Sequence, residues 1–247
     1  KMNQSIRNLE SYLDGLKKLT RPSLEKVTDA MDVVLGVPAP FLVKAERVFS
    51  PAGIKVSAQN IHWEESGAFT GEISCSMLKE IGVEIAIIGH SERRILFRET
   101  NEEIRSKMTK ALSSSVTPIL CVGETIEERK SGKTFSVLEE QLGSALKGQH
   151  LSPENFLIAY EPVWAIGTGL TATKEEAHEA HSFIRSYMRE YFGEALSQGV
   201  RILYGGSMKA EVTAELLSSP EIDGGLVGGA SLKPETFSSM LSVAYET

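Results

Sequence analysis

The stretch Ile85-Ala86-Ile87-Ile88-Gly89-His90-Ser91-Glu92-Arg93-Arg94 changes character twice. Its first residues are apolar without a polar alternation, which is the pattern of a parallel strand buried on both faces. Gly89 breaks the run. His90 is a polar residue at the strand's carboxyl end, and Ser91-Glu92 reads as the start of a helix. Strand, turn and helix in this order form one β-then-α unit.

The same passage recurs along the chain. Strand candidates are residues 33–37, 55–59, 85–89, 118–122, 156–160, 200–204 and 225–227. Between them lie helical patterns with clear starts: Thr100-Asn101-Glu102-Glu103 and Thr173-Lys174-Glu175-Glu176 both fit the capping box. Ile104, Met108, Ala111 and Leu112 form one apolar stripe, and Ala177, Ile184, Met188 and Tyr191 another; both are expected to pack in the core. This alternation means a parallel sheet covered by helices, with no linker or composition shift dividing residues 1–247. Periodicity alone leaves open a doubly wound sheet or a closed (β/α)8 barrel.

Seven strands are one short of that barrel, and the chain opens directly into a helix on which Ile6, Leu9, Leu13 and Leu16 share a face. The tail 234–247 reads as a final helix, with Phe237, Leu241 and Ala244 on one face, so permutation does not supply the missing strand. The expectation is a further strand of about 5–10 residues ahead of Lys1; without it, two strands keep unpaired edges.

Composition narrows the function. The 247 residues are 41% hydrophobic and 24% charged with 21 Gly and 9 Pro, which excludes collagen, coiled coil and a disordered tail. A net charge of −7 leaves no basic nucleic-acid footprint. An anionic ligand must therefore be bound by local donors. Cys75 and Cys121 are too few for a disulfide framework or a zinc site of familiar spacing, and they suit a reducing cytoplasm. No run approaches the ~18 apolar residues of a membrane span, and Lys1-Met2-Asn3-Gln4-Ser5-Ile6-Arg7 lacks the apolar core of a signal peptide.

In α/β folds chemistry gathers at the carboxyl ends of strands. His90 stands there, as does Glu161 in Glu161-Pro162-Val163-Trp164, whose Pro162 restricts it to an extended backbone. Gly205-Gly206-Ser207 and Gly228-Gly229-Ala230-Ser231 follow the last two strands and match a phosphate site built from backbone N–H groups and a short helix start. A helix beginning after His90 would keep its ring neutral. Ala165-Ile166-Gly167-Thr168-Gly169 looks like a hinged lid that excludes water from a base. The G-x-G-x-x-A run from Gly167 to Ala172 mimics a dinucleotide fingerprint, but it does not directly follow a strand, and the next strand ends in Gly-Gly-Ser rather than an acid. Of the other histidines (His62, His150, His178, His181), only His178 and His181 share a helix face, and no third metal ligand accompanies them.

With those residues in view, the chain resembles the triosephosphate isomerase family over nearly its whole length. The resemblance rests on Lys1-Met2-Asn3, Ala58-Gln59-Asn60, Gly67-Ala68-Phe69-Thr70-Gly71-Glu72, Gly89-His90-Ser91-Glu92-Arg93-Arg94, Cys121-Val122-Gly123-Glu124, the run from Ala159 to Gly169, Tyr204-Gly205-Gly206-Ser207 and the run from Leu226 to Leu232. It implies a single-domain (β/α)8 TIM barrel over residues 1–247, with the first β-strand missing from the sequence. It further implies a homodimer that interconverts dihydroxyacetone phosphate and glyceraldehyde 3-phosphate in glycolysis and gluconeogenesis, without metal or organic cofactor. By position, Glu161 would move the proton between carbons and His90 would polarise the carbonyl. Lys1 would stabilise enediolate charge and, with Gly167, Ser207, Gly228 and Gly229, bind the phosphorylated substrate. Glu92 would support the site, Cys121 would pack behind it, and Phe69, Thr70 and Gly71 would form the loop that enters the partner subunit. Three departures stand out: Leu170 in place of the usual Lys at the lid's second hinge, Glu65 where the dimer loop often has Thr, and Gly225 in the last strand.

Two other readings compete. One is a non-catalytic barrel that binds phosphorylated ligands, if the chain truly starts at Lys1. The other is a different phosphate-binding barrel enzyme; an aldolase, for one, wants a Schiff-base Lys ending a strand, and no internal strand candidate ends that way.

Overall fold

The computed structural model describes residues 1–166 and 172–247. Gly167 and Leu170, and all of the apparent dinucleotide fingerprint except Ala172, lie outside the described residues.

The apolar runs become seven parallel strands: β1 (Val34–Val37), β2 (Lys55–Ala58), β3 (Ile85–Ile88), β4 (Thr117–Val122), β5 (Leu157–Tyr160), β6 (Arg201–Tyr204) and β7 (Gly224–Gly225). Each pairs with the next in chain order, in registers such as Ile88↔Leu120 and Tyr160↔Tyr204. The first six fall within one residue of the expected bounds. The last does not: residues 225–227 were expected, and the strand is Gly224–Gly225. A two-glycine segment has no side chain to pack, and among the described residues it has one ladder neighbour, β6.

Helices cover the outer face. In chain order they are α1 (Leu9–Leu19), α2 (Leu24–Ala30), α3 (Leu42–Phe49), α4 (Cys75–Glu80), α5 (Ser91–Leu96), α6 (Asn101–Ser113), α7 (Ile126–Lys130), α8 (Thr134–Leu146), α9 (Lys174–Phe192), α10 (Glu194–Gly199), α11 (Ala210–Leu217) and α12 (Pro234–Glu246). Thr100 and Thr173 both form reciprocal capping boxes, at α6 and α9, and Thr125 forms another at α7. Two apolar stripes are shorter than the sequence suggested. Ile6 precedes α1 in a 3-10 turn and is exposed. Tyr191 is exposed on α9, its ring tilted against that of Tyr187.

Strand alternation sorts the core into two layers. Ala86, Ile88, Leu120, Val122, Ile158 and Tyr160 face the helices and join the large outer core, where Met108 and Met188 are fully buried. Ile119, Cys121 and Ala159 turn inward with Ile85, Ile87 and Leu203. The sheet is curled, and inside it lies a cavity of ≈ 2030 Å³ that reaches from the strand ends past the edges of β1 and β7 to Leu9, Tyr12 and Leu241. Both cysteines are buried and unpaired. Among the described residues no helix is long and apolar enough to cross a membrane.

Candidate active site

Six expected residues meet around the carboxyl ends of the strands. After β3 the chain turns through Gly89 at φ +72°, a backbone setting that disfavours a side chain. A Cβ there would also stand 3.0 Å from Ile104 Cδ1 and 3.3 Å from the Cys121 carbonyl oxygen. This turn delivers His90 to the first turn of α5. Its Nδ1 accepts the Glu92 N–H at 3.2 Å, so the ring proton belongs on Nε2. Nε2 faces Glu161 Oε1 at 3.1 Å. Burial pushes the His90 pKa down to about 4; Glu92 opposes this, while the charges of Lys1 and Arg93 add to it. Burial, rather than the helix start expected from the sequence, is the largest cause of the neutral ring.

Glu161 follows β5 and is only 2% exposed. Its backbone N–H donates to the Val122 carbonyl at 2.7 Å. The carboxylate accepts the Ser91 N–H at 2.8 Å on Oε2 and the Ser91 hydroxyl at 3.4 Å on Oε1. Burial pushes its pKa up to about 7, against the Ser91 amide and the Lys1 charge, which hold it down. Cys121 is fully buried behind it, and burial, reinforced by the negative charge of Glu161, pushes the thiol pKa well up. Gly205 packs on the other side, where a Cβ would stand 2.8 Å from Glu161 Cγ.

Lys1 reaches the same space. Its ammonium pairs with Glu92 Oε1, and its carbonyl accepts the Gln59 side-chain amide at 3.2 Å. Burial works the other way, yet the Lys1 ammonium holds the Glu92 carboxyl below its usual range. Lys1 Cε lies 3.6 Å from where a Cβ on Gly228 would stand. Ser207 donates to the Ala165 carbonyl at 2.6 Å. Residues Gly229–Leu232 form a short 3-10 helix, whose first N–H groups have no partner within the helix. Lys1, His90, Glu161, Ser207, Gly228 and Gly229 thus line one cavity.

Three further residues support the site in ways that the sequence does not reveal. Ser91 holds the Glu161 carboxylate from 70 positions away. Glu124 is fully buried and accepts from the Tyr160 hydroxyl at 3.0 Å and the Trp164 indole at 3.0 Å, so it anchors the start of the lid-like segment. Arg94 joins backbone carbonyls beneath His90. The nearest signal was their place inside the motifs that carried the resemblance.

The remaining candidates lie elsewhere. Phe69 sits between Gly67 and Gly71, both at positive φ, and remains 41% exposed, its ring 4.2 Å from that of His62. Glu65 pairs with Lys110 of the same chain. His178 meets Ser219 at 2.9 Å, whereas His181 is buried with Nδ1 at the Glu221 carbonyl, so the two rings are engaged separately. Among the described residues no cluster of three or more His, Cys, Asp or Glu is placed to hold a metal ion.

A family model described as "Triosephosphate isomerase" matches residues 1–244. The triosephosphate isomerase of Alkaliphilus metalliredigens is 44% identical over 238 residues, covering 96% of this chain and 94% of that protein. The triosephosphate isomerase of Acetivibrio thermocellus is 46% identical over 241 residues, covering 96% and 92%. The crystal structure of triosephosphate isomerase from Bartonella henselae matches with a TM-score of 0.88 at 37% identity, covering 100% of this chain and 96% of that one. The curled seven-stranded sheet therefore has the architecture of a TIM barrel.

Proposed function

The chain belongs to the triosephosphate isomerase family and is an isomerase of that kind, and on this premise we propose how its own residues divide the work. The substrate pair is dihydroxyacetone phosphate and D-glyceraldehyde 3-phosphate. Glu161 removes a proton from the carbon beside the carbonyl, and His90 donates from Nε2 to the carbonyl oxygen. The Lys1 ammonium stabilises the enediolate charge that develops between them. His90 then takes back a proton at Nε2 from the neighbouring hydroxyl, whose oxygen becomes the new carbonyl, as Glu161 returns its proton to the carbon that bore the first carbonyl.

One observation supports this most directly. A buried carboxyl with its pKa pushed up to about 7 lies 3.1 Å from a histidine pushed down to about 4. A base poised near neutral pH and a neutral ring with its proton on the facing nitrogen are the two groups that carbonyl-directed proton transfer needs.

Phosphate is held at Ser207, Gly228 and Gly229, joined by Gly167, through backbone donors that need no positive net charge. The lid after Pro162 excludes water, because an enediol phosphate left in water expels its phosphate. A homodimer forms through Phe69, Thr70 and Gly71. Its support is the phenyl ring of Phe69, which this chain leaves exposed between two glycines at positive φ.

A coupled assay that follows glyceraldehyde 3-phosphate conversion tests the scheme. Turnover by the parent chain and its loss in Glu161→Gln and His90→Gln are the expected results. Parent-like turnover in either variant removes that residue from the scheme.

A further inference from the structure

Arg94 has no part in the scheme above, yet its guanidinium lies directly beneath the site. Nε donates to the Gly89 carbonyl at 2.9 Å, Nη2 to the Cys121 carbonyl at 3.1 Å, and Nη1 to Asn101 Oδ1 at 2.7 Å. The registered pairing of β3 with β4 ends at Ile88↔Leu120. One residue further along each strand, the guanidinium takes over from the ladder and ties the two carbonyls together. Those carbonyls matter individually: Gly89 is the left-handed turn immediately before His90, and Cys121 is the residue packed behind Glu161. Asn101, at the first turn of α6, anchors the third arm.

We infer that Arg94 is a positioning residue, whose planar fork clamps the Gly89 turn to β4 and so aims His90 at Glu161 and the substrate. This rests on the acid and base roles proposed for those two residues. Only a guanidinium fits the task, because a lysine ammonium is a compact charge that cannot span three fixed acceptors in one plane. A positioning loss falls on the chemical step, because a misplacement of about 1 Å in the reacting groups costs on the order of 100-fold in rate.

The test compares Arg94→Lys, Arg94→Ala and the parent. Both variants are expected to lose about 10–100-fold in kcat while KM and competitive inhibition by inorganic phosphate stay within about twofold, since the phosphate turns lie after β6 and β7. The ligand-free imidazole 15N signals of His90 should shift or broaden in both. A second cavity of ≈ 350 Å³, lined by Arg94, Ser91, Asn101 and Gln141, gives room for added guanidinium. Guanidinium at non-denaturing concentration should restore part of the Arg94→Ala rate, and methylammonium should not. A kcat within twofold of the parent in folded Arg94→Lys overturns the inference. So does equal rescue by methylammonium, or a loss carried by KM with His90 signals unmoved. If Arg94→Ala does not fold, Asn101→Ala frees one arm only; it should lower kcat several-fold and shift His90, and parent-like values in both readouts overturn the inference. His90→Gln and Glu161→Gln run alongside: if they keep parent turnover the acid–base scheme fails, whereas their loss beside unaffected Arg94 variants defeats the positioning role alone.

Discussion

Oε1 of Glu161 stands 3.1 Å from Nε2 of His90, and burial drives the two groups in opposite directions, the carboxyl up to about 7 and the imidazole down to about 4. Each charged form is penalised for the same reason, loss of water. The pair therefore rests closer to neutral–neutral than two exposed groups would. Ser91 steadies it by donating its amide to Glu161, and the Glu92 amide fixes the His90 tautomer.

Replacing Glu161 with Gln should leave inorganic phosphate binding intact and lower kcat by about 10²–10⁴-fold or more, because the amide cannot accept the carbon-bound proton. Steady-state kinetics with glyceraldehyde 3-phosphate decide it. A kcat within tenfold of the parent would exclude Glu161 as the base.

The pH profile follows from the same carboxyl. The free enzyme needs Glu161 ionised, so kcat/KM should rise with pH through about 7. Stability should move the other way. Between its ordinary value of 4.5 and about 7 the folded chain keeps a proton that the unfolded chain has released. Glu161 thus makes stability fall as pH rises across that window, and Glu161→Gln should abolish this fall in urea titrations. An identical pH slope in parent and variant would contradict the buried, raised carboxyl.

His90 has the opposite sign. Its folded pKa is below its ordinary 6.5, so its contribution is fully present above 6.5 and lost as pH drops toward about 4. Imidazole 15N NMR should show a neutral ring with the proton on Nε2 throughout pH 6–8. Titration near the unperturbed ~6.5 would be the contrary result.

At Gly228 an added Cβ meets nothing closer than Lys1 Cε at 3.6 Å, an ordinary contact. The Cβ of Gly228→Val therefore has room. Its branches would still block close backbone approach by a tetrahedral anion, so KM should rise strongly and inhibition by phosphate should weaken in parallel. An unchanged KM would place the phosphate elsewhere.

Phe69 is 41% exposed in a single chain, so covering it would gain part of the roughly 1.5–3 kcal/mol that full burial of such a side chain yields. Phe69→Asp should forfeit that gain and bury an unpaired carboxylate, weakening association and activity together. Sedimentation and kinetics on the same samples check this. A monomeric parent with full activity would refute the proposed interface.

Much of the fold was legible from local chemistry. Continuous apolar runs such as Ile85-Ala86-Ile87-Ile88 became strands, and hydroxyl-to-glutamate spacings at Thr100 and Thr173 became capping boxes. Both signals depend only on near neighbours and on periods of two or 3.6 residues. The rim positions of His90 and Glu161 followed, because a residue that ends a parallel strand has few other places to go. The two-residue β7 was not legible, since its length depends on pairing rather than on its own glycines.

Periodicity could not choose between an open sheet and a curled one; the motif resemblance implied the barrel, and the consecutive order β1 to β7 bears it out. Tertiary structure alone decided the contacts across the site. Nothing local says that the amide of Ser91 will meet a carboxylate 70 residues away, that Glu124 will collect Tyr160 and Trp164, or that Arg94 will bridge Gly89 and Cys121. The titration of Glu161 and His90 belongs to the same class. A side chain carries its ordinary pKa in its own chemistry, but desolvation is the work of every element packed around it, and that packing exists only once the chain has folded.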